Sequence, residues 1–197
     1  MRLDKLIANM GFGSRKDVKQ LLKKNHVTVN GTIVKDGKGH IDPYKDVIEI
    51  NKEVIRYREY IYLMMNKANG YLSATTDEFD RTVIDLLSDE YKRFKPFPVG
   101  RLDKDTEGLL LLTNDGQLSH QLTSPNKQIK KTYIAKIDCN ITEEDIVLFK
   151  QGIVLNDGYK TLPATLKVIE DDHSYLAQIV ITEGKYHQVK RMFAAIG

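Results

Sequence analysis

The most apolar stretch of the chain, Gly108-Leu-Leu-Leu-Leu-Thr113, directly follows a loop dense with charge, Arg101-Leu-Asp-Lys-Asp-Thr-Glu107. Six residues fall far short of the ~20 that a membrane helix needs and suit a buried strand. A polar loop entering such a strand is how a rigid scaffold holds chemistry at a cleft. The rest of the chain is ordinary for a globular protein: 41% of 197 residues are hydrophobic and 29% charged. That excludes collagen-like, low-complexity and disordered chains and allows one or two domains. The single cysteine, Cys139, excludes an internal disulfide and a cysteine-rich metal site, and the five histidines form no His-x-x-x-His pair. The opening MRLDKLIANMG carries charges inside its apolar pattern and is no secretory signal, so a cytoplasmic protein is expected.

Charge is unevenly spread. Residues 1–58 hold 13 Lys/Arg against 7 Asp/Glu, whereas the remainder is mildly acidic. Such a basic module suits a polyanion-binding arm on a body with another task. Within it, Leu3, Leu6, Ile7 and Met10 repeat at helical spacing, and Gly11 is placed to end that helix. Ser14 is positioned to cap a second helix, with Asp17 as its capping partner. Val18, Leu21 and Leu22 form its apolar stripe, and Arg15, Lys19 and Lys23 lie on an adjacent face beside Lys16. Like charges at that spacing repel, which a solvated face tolerates and bound phosphates would relieve. Asn30-Gly31 between two β-rich runs predicts a hairpin, and Val47 to Ile50 another strand. Glu53 to Tyr60 reads as a short polar linker.

Beyond residue 58 strands and helices alternate. Strands are expected at Tyr60 to Met65, Leu109 to Thr113, Thr132 to Ile137, Leu166 to Ile169 and Tyr175 to Ile181, the last two joined as a hairpin by Glu-Asp-Asp-His-Ser. Helices are expected from Thr82 to Phe94, from Gln117 to Leu122, after Thr142 with Asp145 as capping partner, and from His187 to Ala195. The fold class is therefore mixed α+β.

In the Gly100–Leu112 segment, Asp103 read alone is most commonly a turn residue. An acid pair of Asp103 and Asp105, or a metal held by Asp103, Asp105 and Glu107, stays open on spacing. A P-loop does not, because no Gly-Lys-Ser/Thr follows. Likewise, Tyr133 alone reads as strand packing and Lys190 as a solvated helix cation.

Residues 1–50, RLDKLIANMGFGSRKDVKQLLKKNHVTVNG above all, resemble the S4-type (alpha-L) RNA-binding domain. That likeness implies contacts to structured RNA through Arg15, Lys16, Lys19, Lys23 and Lys24. GRLDKDTEGLLLLTNDG, Lys131-Thr-Tyr-Ile-Ala135 and Glu183-Gly-Lys-Tyr-His-Gln-Val-Lys-Arg-Met-Phe193 resemble, in order, the three motifs of pseudouridine synthases. The resemblance implies a small S4 domain and linker over 1–58, followed by a largely antiparallel-sheet catalytic domain over 59–197. It also implies an isomerase (an intramolecular transferase) in ribosome biogenesis; that reaction oxidises and adds nothing, so no cofactor is expected, the sparse cysteine and histidine suggest no metal, and a monomer is the default expectation. By it, Asp103 is the catalytic carboxylate, as nucleophile or as base, Tyr133 the aromatic under the flipped uracil, and Lys190 the cation that keeps the acid charged. Arg101, His187 and Gln188 would bind or frame the substrate. His187-Gln-Val-Lys-Arg191 resembles the branch acting on 16S rRNA rather than the Asn-Arg-Glu-Val-Arg-Arg pattern of large-subunit enzymes. A 23S target and a non-catalytic RNA-binding or ribosome-assembly factor are the alternatives; a nuclease or glycosidase fits least. Ala68 stands where the family usually has proline. Family members continue past the third motif, so further C-terminal strands are expected to be missing from this chain.

Overall fold

The computed structural model describes residues 1–138, 140–169 and 175–197, which pack as two compact units, Met1–Ser119 and His120–Gly197. The expected Glu-Asp-Asp-His-Ser turn and Cys139 lie outside the described residues.

The first unit begins with helices α1 (Leu3–Asn9) and α2 (Arg15–Lys23). Gly11, at φ +82, ends the first of them within two residues. The Ser14–Asp17 capping box forms in full and starts the second, satisfying backbone donors that the helix cannot pair internally. Strands β1 (Val27–Val29), β2 (Thr32–Ile33), β3 (Ile48–Ile50) and β4 (Glu53–Ile55) follow, in the sheet order β2-β1-β3-β4. Asn30 and Gly31, both at positive φ, make the turn of the predicted β1–β2 hairpin.

Part of the stretch read as a linker is β4 itself. Asn51 and Lys52, at φ +51 and +69, turn the chain so that Glu53–Ile55 pairs back onto β3. No glycine marks that turn, so the sequence offers no signal for it. Val18, Leu22, Val27 and Ile48 are buried with Leu3, Leu6 and Ile7, and the same core takes in Ile61 and Phe94. The 58/59 boundary expected from sequence thus lies inside this unit.

Its second sheet has β5 (Tyr62–Lys67), β6 (Phe97–Pro98) and β7 (Gly108–Thr113), with β7 central and antiparallel to both neighbours. The continuous helix expected from Thr82 to Phe94 does not form; only α3 (Asp89–Lys92) is helical. The Thr82–Asp85 cap is present, with the Thr82 amide donating to the Asp85 carboxylate at 2.7 Å. However, Leu72 donates to the Arg81 carbonyl and accepts from the Val83 amide, drawing 81–83 into extended pairing and burying Val83 against Leu110 and Leu112. Tertiary pairing overrides the local helix signal there.

Helix α4 (Gly116–Thr123), capped by Asp115 through the Leu118 amide, leads into the second unit. Strands β8 (Lys131–Ile137), β9 (Thr165–Ile169) and β10 (Tyr175–Ile181) form an antiparallel sheet in the order β8-β10-β9. Helices α5 (Glu143–Gln151), with a complete Thr142–Asp145 capping box, and α6 (Gln188–Ala194) accompany it. Phe149, Leu166, Ile179, Ile181 and Met192 form the unit's core. Among the described residues no helix is long and apolar enough to cross a membrane, and no cluster of His, Cys, Asp and Glu has metal-binding geometry.

Candidate active site

β5 alternates cleanly: Tyr62, Met64 and Asn66 face outward, while Leu63, Met65 and Lys67 face inward. Lys67 therefore arrives inside the protein with no accessible surface, opposite Gly108 and directly at the root of the 100–108 loop. A buried ammonium must find acceptors. Lys67 Nζ donates to the carbonyls of Thr106 at 2.8 Å, Lys104 at 3.0 Å and Ala68 at 3.1 Å. Burial pushes its pKa down from the usual 10.5, opposed by the charges of Asp105, Glu107 and Asp103. A fixed cation thus lies within electrostatic reach of all three loop carboxylates.

Further contacts complete the brace. Ser73 Oγ donates to the Leu102 carbonyl at 2.8 Å and accepts from the Leu102 amide at 3.1 Å. The Gly70 amide donates to the Lys104 carbonyl, and the Thr106 amide to the Asp103 carbonyl. Lys104 pairs with Asp80 at 2.6 Å. Gly100 and Gly108, at φ +79 and +117, occupy backbone regions that side chains disfavour. The loop is held largely by its main chain, with Asp103 half-buried on it and Arg101, Asp105 and Glu107 exposed.

Tyr133 and Lys190 belong to the second unit. Tyr133 sits mid-strand in β8 opposite Ile179, half-buried and packed against that unit's core. Lys190 is exposed on α6. His187, at φ +47, stacks its ring on Tyr186 with centroids 3.8 Å apart. Gln188 is buried: its amide nitrogen donates to Glu183 at 2.8 Å, and its oxygen accepts from the Lys185 amide at 2.8 Å. Glu183, also buried, accepts in addition from the Tyr159 hydroxyl at 2.6 Å and the Leu162 amide at 2.8 Å. Those bonds fix the turn from which α6 starts, and Arg191 pairs with Asp157 beside it.

In the first unit, Arg15, Lys16, Lys19, Lys23 and Lys24 are all exposed on and just after α2, while Val18 and Leu22 are buried beneath. Lys67, Ser73 and Glu183 join these brackets without a local sequence motif that marks them for it. Strand parity points to two of them: 63, 65 and 67 are the inward series of β5, and Glu183, two residues past β10, keeps the parity of its buried 177, 179 and 181.

Residues 61–195 match the family model for RNA pseudouridylate synthase and residues 1–43 that for the S4 domain. This chain belongs to the RNA pseudouridine synthase family and carries an S4 domain ahead of the synthase fold. The uncharacterized RNA pseudouridine synthase YtzG of Bacillus subtilis is 52% identical over all of this chain and 83% of its own length. Ribosomal small subunit pseudouridine synthase A of Escherichia coli K12 is 39% identical, over all of this chain and 84% of its own. Ribosomal large subunit pseudouridine synthase B of B. subtilis is also 39% identical, over all of this chain and 80% of its own. A crystal structure of a pseudouridylate synthase aligns with a TM-score of 0.65 at 37% identity, covering all of this chain and 84% of that one.

Proposed function

We propose that this RNA pseudouridine synthase isomerises one uridine of 16S rRNA, the one at position 516, with Asp103 as its catalytic carboxylate. Uridine stacked in RNA is out of reach, so it must leave the stack before it reacts. The bond from N1 to C1′ then breaks, the uracil turns, C5 bonds to C1′, the C5 hydrogen leaves as a proton and N1 takes one up. An ionised Asp103 serves this reaction either by attacking the sugar or ring or by taking the C2′ proton. Tyr133 supplies a face for the flipped base and Lys190 a charge that favours the carboxylate. His187 frames the substrate, Gln188 braces the turn behind it, and Arg101 contacts phosphate. The basic face of α2 holds surrounding RNA. The enzyme works as a cytoplasmic monomer without cofactor or metal.

The observation that carries this reading is the position of Asp103 on a loop anchored by a buried ammonium, inside the segment matched by the synthase family. Support for the 16S target comes from His187-Gln-Val-Lys-Arg191 and from relatives that act on the small subunit. The second reading, a 23S target, is favoured by the large-subunit relative of equal identity.

Release of tritium from RNA labelled at uracil C5 tests both. Small-subunit RNA should release label, and mapping should find one modified nucleotide. Release from 23S RNA alone would move the target. Asp103→Asn should lower the rate about a thousandfold or more while leaving RNA affinity within about twofold; full activity in that variant would remove Asp103 from the chemistry.

A further inference from the structure

The first unit contains a second feature with chemistry of its own, an open cavity of about 200 Å³ at the seam between the S4 module and the opening elements of the synthase region. Three arginines line it, Arg56, Arg58 and Arg93, with Phe12, Phe94 and a single acid, Glu90. Arg56 and Arg58 directly follow β4, two residues apart, and both line this same opening. Tyr57 between them faces the core, and both arginines are exposed.

Arg93 is built in more firmly. Its guanidinium lies 5.4 Å from the Phe12 ring centre and 5.7 Å from that of Phe94, and its Nε donates to the Glu90 carbonyl at 2.9 Å. Gly11 makes room for it, since a Cβ there would fall 2.3 Å from Arg93 Cβ. Among the described residues no carboxylate forms an ion pair with any of the three guanidiniums.

Three like charges gathered around one opening repel each other unless an anion joins them. The arginine fork matches phosphate oxygens two at a time, and an aromatic wall adds a stacking face for a base. We propose that this seam is a clamp for a phosphodiester of the substrate RNA, separate from the α2 face, with the adjoining base against Phe12. This rests on the reading of the protein as an RNA-binding synthase. The clamp would fix the strand to both the S4 module and the synthase fold at once, giving the arm a defined register relative to the loop of Asp103.

The test compares the intact chain with the double variants Arg56→Gln/Arg58→Gln and Lys19→Gln/Lys23→Gln, measuring binding of a fluorescent 16S rRNA transcript over a salt series. Unchanged thermal unfolding confirms the fold of both variants, whose altered side chains are all exposed. Loss of two phosphate contacts should lower the slope of log K against log salt by about 1.5 and weaken binding about tenfold at about 0.1 M salt. Arg56→Lys/Arg58→Lys should keep most of the slope but not the affinity, because charge survives and the fork does not. If the Gln pair at 56 and 58 binds like the parent while the α2 pair loses slope and affinity, the clamp is wrong and RNA binding stands. If the parent binds neither 16S nor 23S RNA, the RNA-binding reading falls and takes the clamp with it. Parental RNA binding by the Gln pair, together with capture of polyglutamate by the parent alone, would reassign the seam to an acidic protein.

Discussion

The loop around Asp103 and the turn before α6 solve one problem with opposite charges. In the first unit, buried Lys67 donates to three backbone carbonyls. In the second, buried Glu183 accepts from a hydroxyl, a backbone amide and a carboxamide. Among the described residues neither charge has a close ion-pair partner; each is solvated by protein dipoles in place of water. The difference lies in what is fixed. Lys67 grips main chain, so it sets the path of the loop whatever its side chains are. Glu183 grips mostly side chains, Tyr159 and Gln188, so it fastens neighbouring elements to the turn and leaves the turn's own backbone to Gln188. A cation under a loop that carries three acids also contributes a favourable field there, which an anion could not.

Removing the two buried charges should carry unequal costs. Lys67→Met keeps the volume but leaves the carbonyls of Ala68 and Thr106 without their donor in a dry site, and it should lower unfolding stability by about 3 kcal/mol. Turnover should fall with it, since Asp103 depends on that backbone, whereas affinity for rRNA should hold because the basic face of α2 is untouched. Denaturant titration and tritium release measure the two effects. A variant with parental stability and rate would show that Lys67 braces nothing. Glu183→Gln should be far milder, at about 1 kcal/mol. Its oxygen can still accept from the Leu162 amide and Gln188, and its new NH2 can donate to Tyr159 with the hydroxyl reversed. A loss as large as that of Lys67→Met would erase the distinction drawn between the two brackets.

Local signals in the sequence account for much of this architecture. Ser14, Thr142 and Asn30-Gly31 each announce an element through chemistry contained within four residues, and the capping boxes and hairpin form as they require. Partner-dependent features are a different matter. The Thr82–Phe94 helix gives way because Leu72 offers Arg81 and Val83 backbone partners that no local pattern reveals. β4 depends on a turn through Asn51 and Lys52 that lacks the usual glycine. Among the candidate residues, Asp103 and the α2 cations stand out in the sequence by type and motif, and the buried charges do not. Lys67 and Glu183 look like surface residues by type, and only their place in an inward-facing series shows otherwise. Gln188 shows the converse: it sits in a motif that reads as substrate-binding, yet its amide is engaged inside its own unit.

The smallest effect expected is also the one that separates the two units most directly, through a tyrosine–carboxylate pair in each. Tyr159 donates to Glu183 at 2.6 Å, and Tyr62 to Asp115 at 3.0 Å. In each case the hydrogen bond to the acid, then desolvation and the acid's charge, raises the phenol's pKa above its usual 10.0. A phenol held neutral by folding contributes stability that is fully present below pH 10 and fades as pH rises through the raised value, where the phenolate meets a carboxylate. Above pH 10 the parent's unfolding midpoint should therefore fall more steeply than that of Tyr159→Phe or Tyr62→Phe, with a tyrosinate absorbance titration locating each group. Because Glu183 also holds Gln188 and the Leu162 amide, loss of the Tyr159 bond should loosen the start of α6, and amide exchange at Gln188 to Arg191 should quicken in Tyr159→Phe. Tyr62→Phe should leave those amides unchanged, because Asp115 still caps α4 through Leu118. Equal exchange in both variants would mean that Glu183 holds its turn without help from the phenol, reducing that bracket to its two remaining bonds.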